Sequence, residues 1–298
     1  MKEIATYKNG NVYTTIYGDG TKIHFTYDDE MIYQYPECHD IMISQKCINN
    51  CPWCYYNCSP TGQHGNLKNW NFFDSMRPYT EIAINLQMPW HPDLYDFLKD
   101  MKERKIIVNV TINQNHFMTD EGKQLISDLV EKDYIKGIGI SLTDPFQEGF
   151  LEEVKKYPNA VIHVINGIIT PKDISWIMDR GLKLLFLGFK TGGRGRSYSD
   201  ENIQKMYENY IWTLEHLQEI LNGFDVVSFD NLALKQMHIR CYVTKEQWDM
   251  CYAGEDGTNT FALDLVHGTF SKSSTSKKTF PIGERSIDEM FDIIRKEG

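Results

Sequence analysis

The chain opens with an alternating pattern. In "NVYTTIYGDGTKIHFTY" two β-branched and aromatic runs flank "GDG", which predicts a β-hairpin. Beyond residue 36 the pattern changes to short apolar runs separated by amphipathic ones. Six short runs read as strands: "DIMIS" (40–44), "EIAINL" (81–86), "IIVNVTIN" (106–113), "GIGISL" (137–142), "AVIHVIN" (160–166) and "LLFLGF" (184–189). They are near-continuously apolar, as strands covered on both faces would be. Between them, Leu94, Phe97, Leu98 and Met101 recur at helical spacing. Leu125, Ile126, Leu129 and Val130 do the same behind Thr119, a candidate N-cap. A further helix is expected to open with Thr170 and Pro171 and to close on Gly181. A longer one should run from Ser199 to about Gly223.

Strands alternating with helices imply parallel pairing through right-handed crossovers, an α/β fold. An open doubly wound sheet and a curved partial barrel both satisfy this pattern, and periodicity does not choose between them. After residue 224, "DVVSFDNLAL" and "HIRCYVT" read as strands, "TFALDLVHGTFSKS" as a hairpin turning near Gly268, and "SIDEMFDIIRK" as a terminal amphipathic helix. The expected organisation is one elaborated domain: a hairpin addition over 1–36, a core over 37–225 and an extension over 226–298.

Composition narrows the class. With 41% hydrophobic and 24% charged residues, the chain has an ordinary globular balance. No apolar run approaches the ~20 residues of a membrane helix, and "MKEIATYKNG" lacks an apolar signal region. A cytoplasmic protein with no membrane partner is expected, and in that compartment a disulfide framework is disfavoured. The net charge of −10 argues against a broad nucleic-acid-tracking surface.

Four of the seven cysteines fall in "KCINNCPWCYYNC", residues 46–58. Cys47, Cys51 and Cys54 form C-x3-C-x2-C directly after the first strand of the βα series. Thiolates suit zinc or iron–sulfur clusters. A redox dithiol needs only C-x-x-C and would leave Cys47 without a task. A structural zinc site wants four ligands, which Cys58 would complete.

This motif, in this place, resembles that of the radical S-adenosylmethionine (SAM) superfamily, over about residues 40–225. The resemblance implies a partial (β/α)6 TIM-like barrel, a [4Fe–4S] cluster on Cys47, Cys51 and Cys54, and SAM chelated by the open iron. It further implies reductive cleavage of SAM to a 5′-deoxyadenosyl radical that takes hydrogen from a substrate, with an electron donor such as flavodoxin or ferredoxin as partner. By the same resemblance Trp53 lies against the adenine, Ser141 reaches the ribose, and Asn166 and Lys190 stand at cofactor-facing strand ends. Thr111 and Asn113 are expected to point into the barrel. The glycine-rich turn that meets the methionine amino group in the family reads "NLQMP" here, so Gln87 and Met88 occupy it. The C-terminal segment from Cys251 resembles an auxiliary-cluster scaffold without its later cysteines. The chain as a whole is similar to compact family members from phage and mobile-element gene sets, through segments such as "PECHDIMIS", "NVTINQNHF" and "EDGTNTF".

"KTGGRGR" (190–196) is the one cationic loop beside an expected cofactor strand. Its glycines allow close backbone approach, and Arg194, Arg196 or both are expected to contact a phosphate or carboxylate on SAM or substrate. The substrate class stays open among peptide, nucleotide and small metabolite. Two other functions compete: a binding protein stapled by zinc on Cys47, Cys51, Cys54 and Cys58, and a degenerate SAM binder without chemistry.

Overall fold

The computed structural model describes residues 2–68 and 70–297. Thirteen strands form two sheets. The first is antiparallel and comprises β1 (Glu3–Asn9), β2 (Val12–Tyr17) and β3 (Lys22–Phe25). The second has ten strands. Its parallel run is β4 (Cys38–Met42), β5 (Glu81–Leu86), β6 (Ile107–Asn113), β7 (Gly137–Ser141), β8 (Ala160–Ile165), β9 (Lys183–Leu187) and β10 (Val226–Phe229). These seven neighbour one another in chain order, and β11 (Thr260–Asp264) pairs parallel to β4 on the other side. Two short antiparallel strands, β12 (Thr269–Ser271) and β13 (Phe280–Pro281), finish that side.

An order that never reverses excludes a doubly wound sheet, because right-handed crossovers then place every helix on one face. Burial alternates along the strands accordingly. Ile82, Ile84 and Leu86 of β5 are buried with Val108, Val110 and Ile112 of β6 and Ile138 and Ile140 of β7 in the helix-side core. The opposite face carries Ala83 and Asn85, then Asn109, Thr111 and Asn113, then Gly137, Gly139 and Ser141. On β5 to β7 the expected both-face apolar strands are therefore corrected, one face being apolar and the other small or polar, whereas β8 and β9 carry Ile165, Leu185 and Leu187 on the second face as well.

The remaining corrections concern ends and additions. The sheet runs past residue 225, since β10 registers Val226 on Lys183 and Phe229 on Phe186. "DVVSFDNLAL" splits into that strand and a helix, Asn231–Gln236, while "HIRCYVT" holds a 3-10 turn, Ile239–Cys241, instead of a strand. The long helix starts at Gly195, not Ser199, and a second short one, Leu217–Asn222, carries the chain to Gly223. The helix capped by Thr170 ends at Ile177, before Gly181. The N-terminal hairpin gains a third strand and lies across the N-terminal ends of the parallel strands. There Lys22 Nζ sits 3.3 Å from Glu81, His24 Nε2 2.7 Å from Glu37, and Asn159 Nδ2 donates to the Gly18 carbonyl at 3.3 Å. Among the described residues no helix is long and apolar enough to cross a membrane.

Candidate functional site

At the C-terminal ends of the parallel strands lies a cavity of about 450 Å³, bordered by side chains from β4 through β9 and by the cysteine loop. That volume is in the range of small-molecule sites. The loop is pinned at its base by a bridge between Lys46 and Ser59, with Cys47 N donating to Ser59 O at 2.9 Å and Ser59 N to Gln45 O at 3.1 Å. Asn85 of β5 splices the strand to the loop: its Oδ1 accepts from Ile43 N at 2.8 Å and its Nδ2 donates to Ser44 O at 2.9 Å. Within the loop, Asn50 and Asn57 take left-handed backbone conformations, which asparagine tolerates better than most residues.

Cys47, Cys51 and Cys54 all border the cavity. Asn49 Nδ2 donates to Cys51 Sγ at 3.1 Å, and His116 Nε2 lies 3.4 Å from Cys47 Sγ. Burial raises the Cys47 and Cys51 thiols above their ordinary value. Cys54 moves the other way, because a hydrogen bond from the Cys58 thiol favours its thiolate, and the same bond with burial keeps Cys58 protonated. Cys47, Cys51 and Cys54 are soft sulfur donors on one loop at the cavity wall, a donor set of the kind that metal clusters take. Among the described residues no three His, Cys, Asp or Glu side chains converge on a point where one metal ion would sit.

The segment 190–196 packs on this loop. Arg194 Nε donates to Cys51 O at 2.9 Å, and its Nη1 donates to Cys58 O at 2.9 Å and Asn57 Oδ1 at 3.0 Å. A β-carbon on Gly193 would fall 2.7 Å from the Cys54 and Tyr55 carbonyls, so glycine is required by the loop-to-loop approach itself. Arg194 Nη2 is buried without a partner. Arg196 is exposed in the first turn of the Gly195–Glu215 helix and is not a cavity residue.

Of the other expected residues, Trp53, Gln87, Thr111, Asn113, Ser141 and Lys190 border the cavity. Trp53 packs edge-on to Tyr198 at 5.4 Å. Gln87 Nε2 donates to Cys58 Sγ at 3.5 Å while its Oε1 is buried without a partner. Lys190 Nζ reaches Ser274 Oγ at 2.9 Å and stands over the Tyr55 ring at 4.3 Å. Met88 and Asn166 are not brought to the cavity wall. The Met88 carbonyl accepts from Ile48 N at 3.1 Å, and Asn166 Nδ2 turns to Gln236 Oε1 at 3.3 Å. Sequence reasoning missed His116, Asn85, Asp40 and His163. His116 falls in a single helical turn, Gln114–Phe117, too short to leave a periodic signal; the other three face inward from strands read as near-continuously apolar, in which a lone polar residue looked like an interruption.

No protein-family model and no curated protein sequence matches the chain. In fold it is similar to the crystal structure of Streptococcus suis SuiB bound to S-adenosylmethionine, with a TM-score of 0.55 and 13% sequence identity. The match covers 87% of this chain and 64% of the SuiB chain, so the chain spans less than two thirds of that protein's length. At this identity the likeness is one of fold: an α/β chain built on a large, mostly parallel sheet.

Proposed function

We propose that this protein is a radical SAM enzyme whose sheet curves into a partial (β/α)6-type barrel. The observation that carries the reading is the placement of C-x3-C-x2-C. Cys47, Cys51 and Cys54 stand on a pinned loop at the C-terminal ends of a one-way-wound parallel sheet, over a cavity. Active sites of βα barrels collect at that end because the loops vary while the strands hold them. The fold likeness to SuiB, whose structure was obtained with SAM bound, adds support. When bound, a [4Fe–4S] cluster and SAM would supply the electron and the 5′-deoxyadenosyl radical for hydrogen abstraction.

The chain's own residues prepare the site. Asn49 and the Cys58 thiol direct polar hydrogens at Cys51 and Cys54, and the His116 ring nitrogen stands beside Cys47, a means of setting a cluster's potential. Arg194 fixes the loop through the Cys51 and Cys58 carbonyls and keeps Nη2 for an anionic group of SAM or substrate. Trp53, Thr111, Asn113 and Ser141 form the wall on which SAM is placed, and Gln87 Oε1 is the free acceptor where the family has glycines. Anaerobic reconstitution tests the reading. A bound cubane should give about four irons per chain, a brown protein, and 5′-deoxyadenosine from SAM on reduction. A colourless zinc protein, or iron without SAM cleavage, would overturn it in favour of the stapled or degenerate alternative.

A further inference from the structure

The cavity wall carries a carboxylate that no protein group pairs with by contact. Asp40 stands in the middle of β4, which is flanked by β5 and β11, so its accessible side chain opens toward the cavity. Among the described residues it makes no hydrogen bond and no ion pair, although fourteen ion pairs form elsewhere. Burial raises its pKa, Lys190 opposes the rise, and Asp256 and Asp230 add to it. Lys190 does not neutralise Asp40 by contact, because its ammonium is engaged by Ser274 and the Tyr55 ring.

A second group points into the same space. His163, two strands beyond Thr111 on the inner face, has a buried Nδ1 with no partner, and burial lowers its pKa to about 4. Its ring lies over Gly139, where a β-carbon would stand 2.1 Å from Cε1. Glycine there gives the ring its place, and Ala83 beside Asp40 leaves the floor open. A carboxylate that lines a cleft and has no partner within the protein is a candidate functional group. We propose that Asp40 anchors a basic nitrogen of the substrate, an amine or guanidine, with neutral His163 as a second hydrogen-bonding group. This inference rests on the enzyme reading above and names the substrate class for that site.

The probe is radiolabelled agmatine, which carries both nitrogen groups, in equilibrium dialysis with the protein before and after cluster reconstitution. Wild-type protein should retain agmatine in both forms, and unlabelled n-butanol should not displace it. Asp40→Asn should weaken retention roughly tenfold or more, the worth of a charge-assisted hydrogen bond. SAM affinity of the reconstituted variant should stay unchanged. Equal agmatine retention by wild type and variant, or none by either, would overturn the proposal. So would loss of SAM affinity in the variant, which would assign Asp40 to the cofactor. Iron content and SAM cleavage of wild-type protein report separately on the enzyme reading, so failure of one is not mistaken for failure of the other.

Discussion

At the residue scale, the cysteine loop divides its four thiols by environment. Cys54 is favoured as thiolate by the Cys58 thiol, which remains the donor. Replacing Cys47, Cys51 or Cys54 with Ala is therefore expected to abolish iron binding, whereas Cys58→Ala should keep most of it; iron and sulfide analysis of reconstituted variants measures both. Glu37 makes a separate residue-scale case. Burial alone would raise its pKa, but hydrogen bonding and charge from His24, with Lys22 and Thr14, hold it below the ordinary glutamate value. A depressed folded pKa means stability that is present above the unfolded value, about 4.3, and lost as pH falls through the folded one. Thermal unfolding of cluster-free wild type and Glu37→Gln should thus differ at neutral pH, and the gap should close as pH drops below about 4. A gap that widens on acidification would contradict the assignment.

At the scale of elements, two helix starts were legible because their signals are local. Thr119 Oγ1 accepts from Gly122 N at 2.9 Å, and Thr170 forms a capping box with Asp173. Thr170→Ala should cost about 1 kcal/mol in denaturant unfolding. The packing role of the 190–196 segment was not legible for the opposite reason. Its glycines look like a solvated or anion-binding loop along the chain, and Gly193 also lets this loop touch the cysteine loop. Gly193 combines a positive φ of 49° with backbone 2.7 Å from its would-be β-carbon. Gly193→Ala should then cost about 1–3 kcal/mol through strain and should accelerate iron loss to a chelator, since the displaced partner is the cysteine loop. Unchanged iron retention would separate this segment from the cluster site.

For the molecule as a whole, the C-terminal strands matter more than a terminal addition would. β11 registers Thr260 to Asp264 against Cys38 to Met42, so it covers the side of β4, the strand that leads into the cysteine loop. A chain ending at residue 256 would expose those backbone groups as a ready pairing template. Such a truncation is expected to be recovered as aggregate, and size-exclusion chromatography of the soluble fraction checks it. A monomeric, iron-binding truncation would mean that β4 is held without β11. At the other pole, the three-stranded sheet meets the N-terminal ends through Glu37, Glu81 and Asn159.

The alternation of strands and helices, the capping threonines and the C-x3-C-x2-C spacing were determined by residues close together in the chain, where propensity, turn chemistry and ligand spacing act. That is why a parallel α/β fold and a cysteine loop after the first strand of its βα series could be read from sequence. Tertiary structure decided the rest. Whether the sheet winds one way or two depends on which strand surfaces meet, and residues 226–229 and 260–264 took opposite sides only through pairing with distant strands. The inner face of the strands was hidden because Ala83, Gly139 and Thr111 look like minor interruptions of apolar runs, and only the register of neighbouring strands aligns them into one wall. His116 beside Cys47, Arg194 on the loop carbonyls and the unpaired Asp40 are relations across 69, 143 and more positions or across a cavity, and no local pattern encodes those.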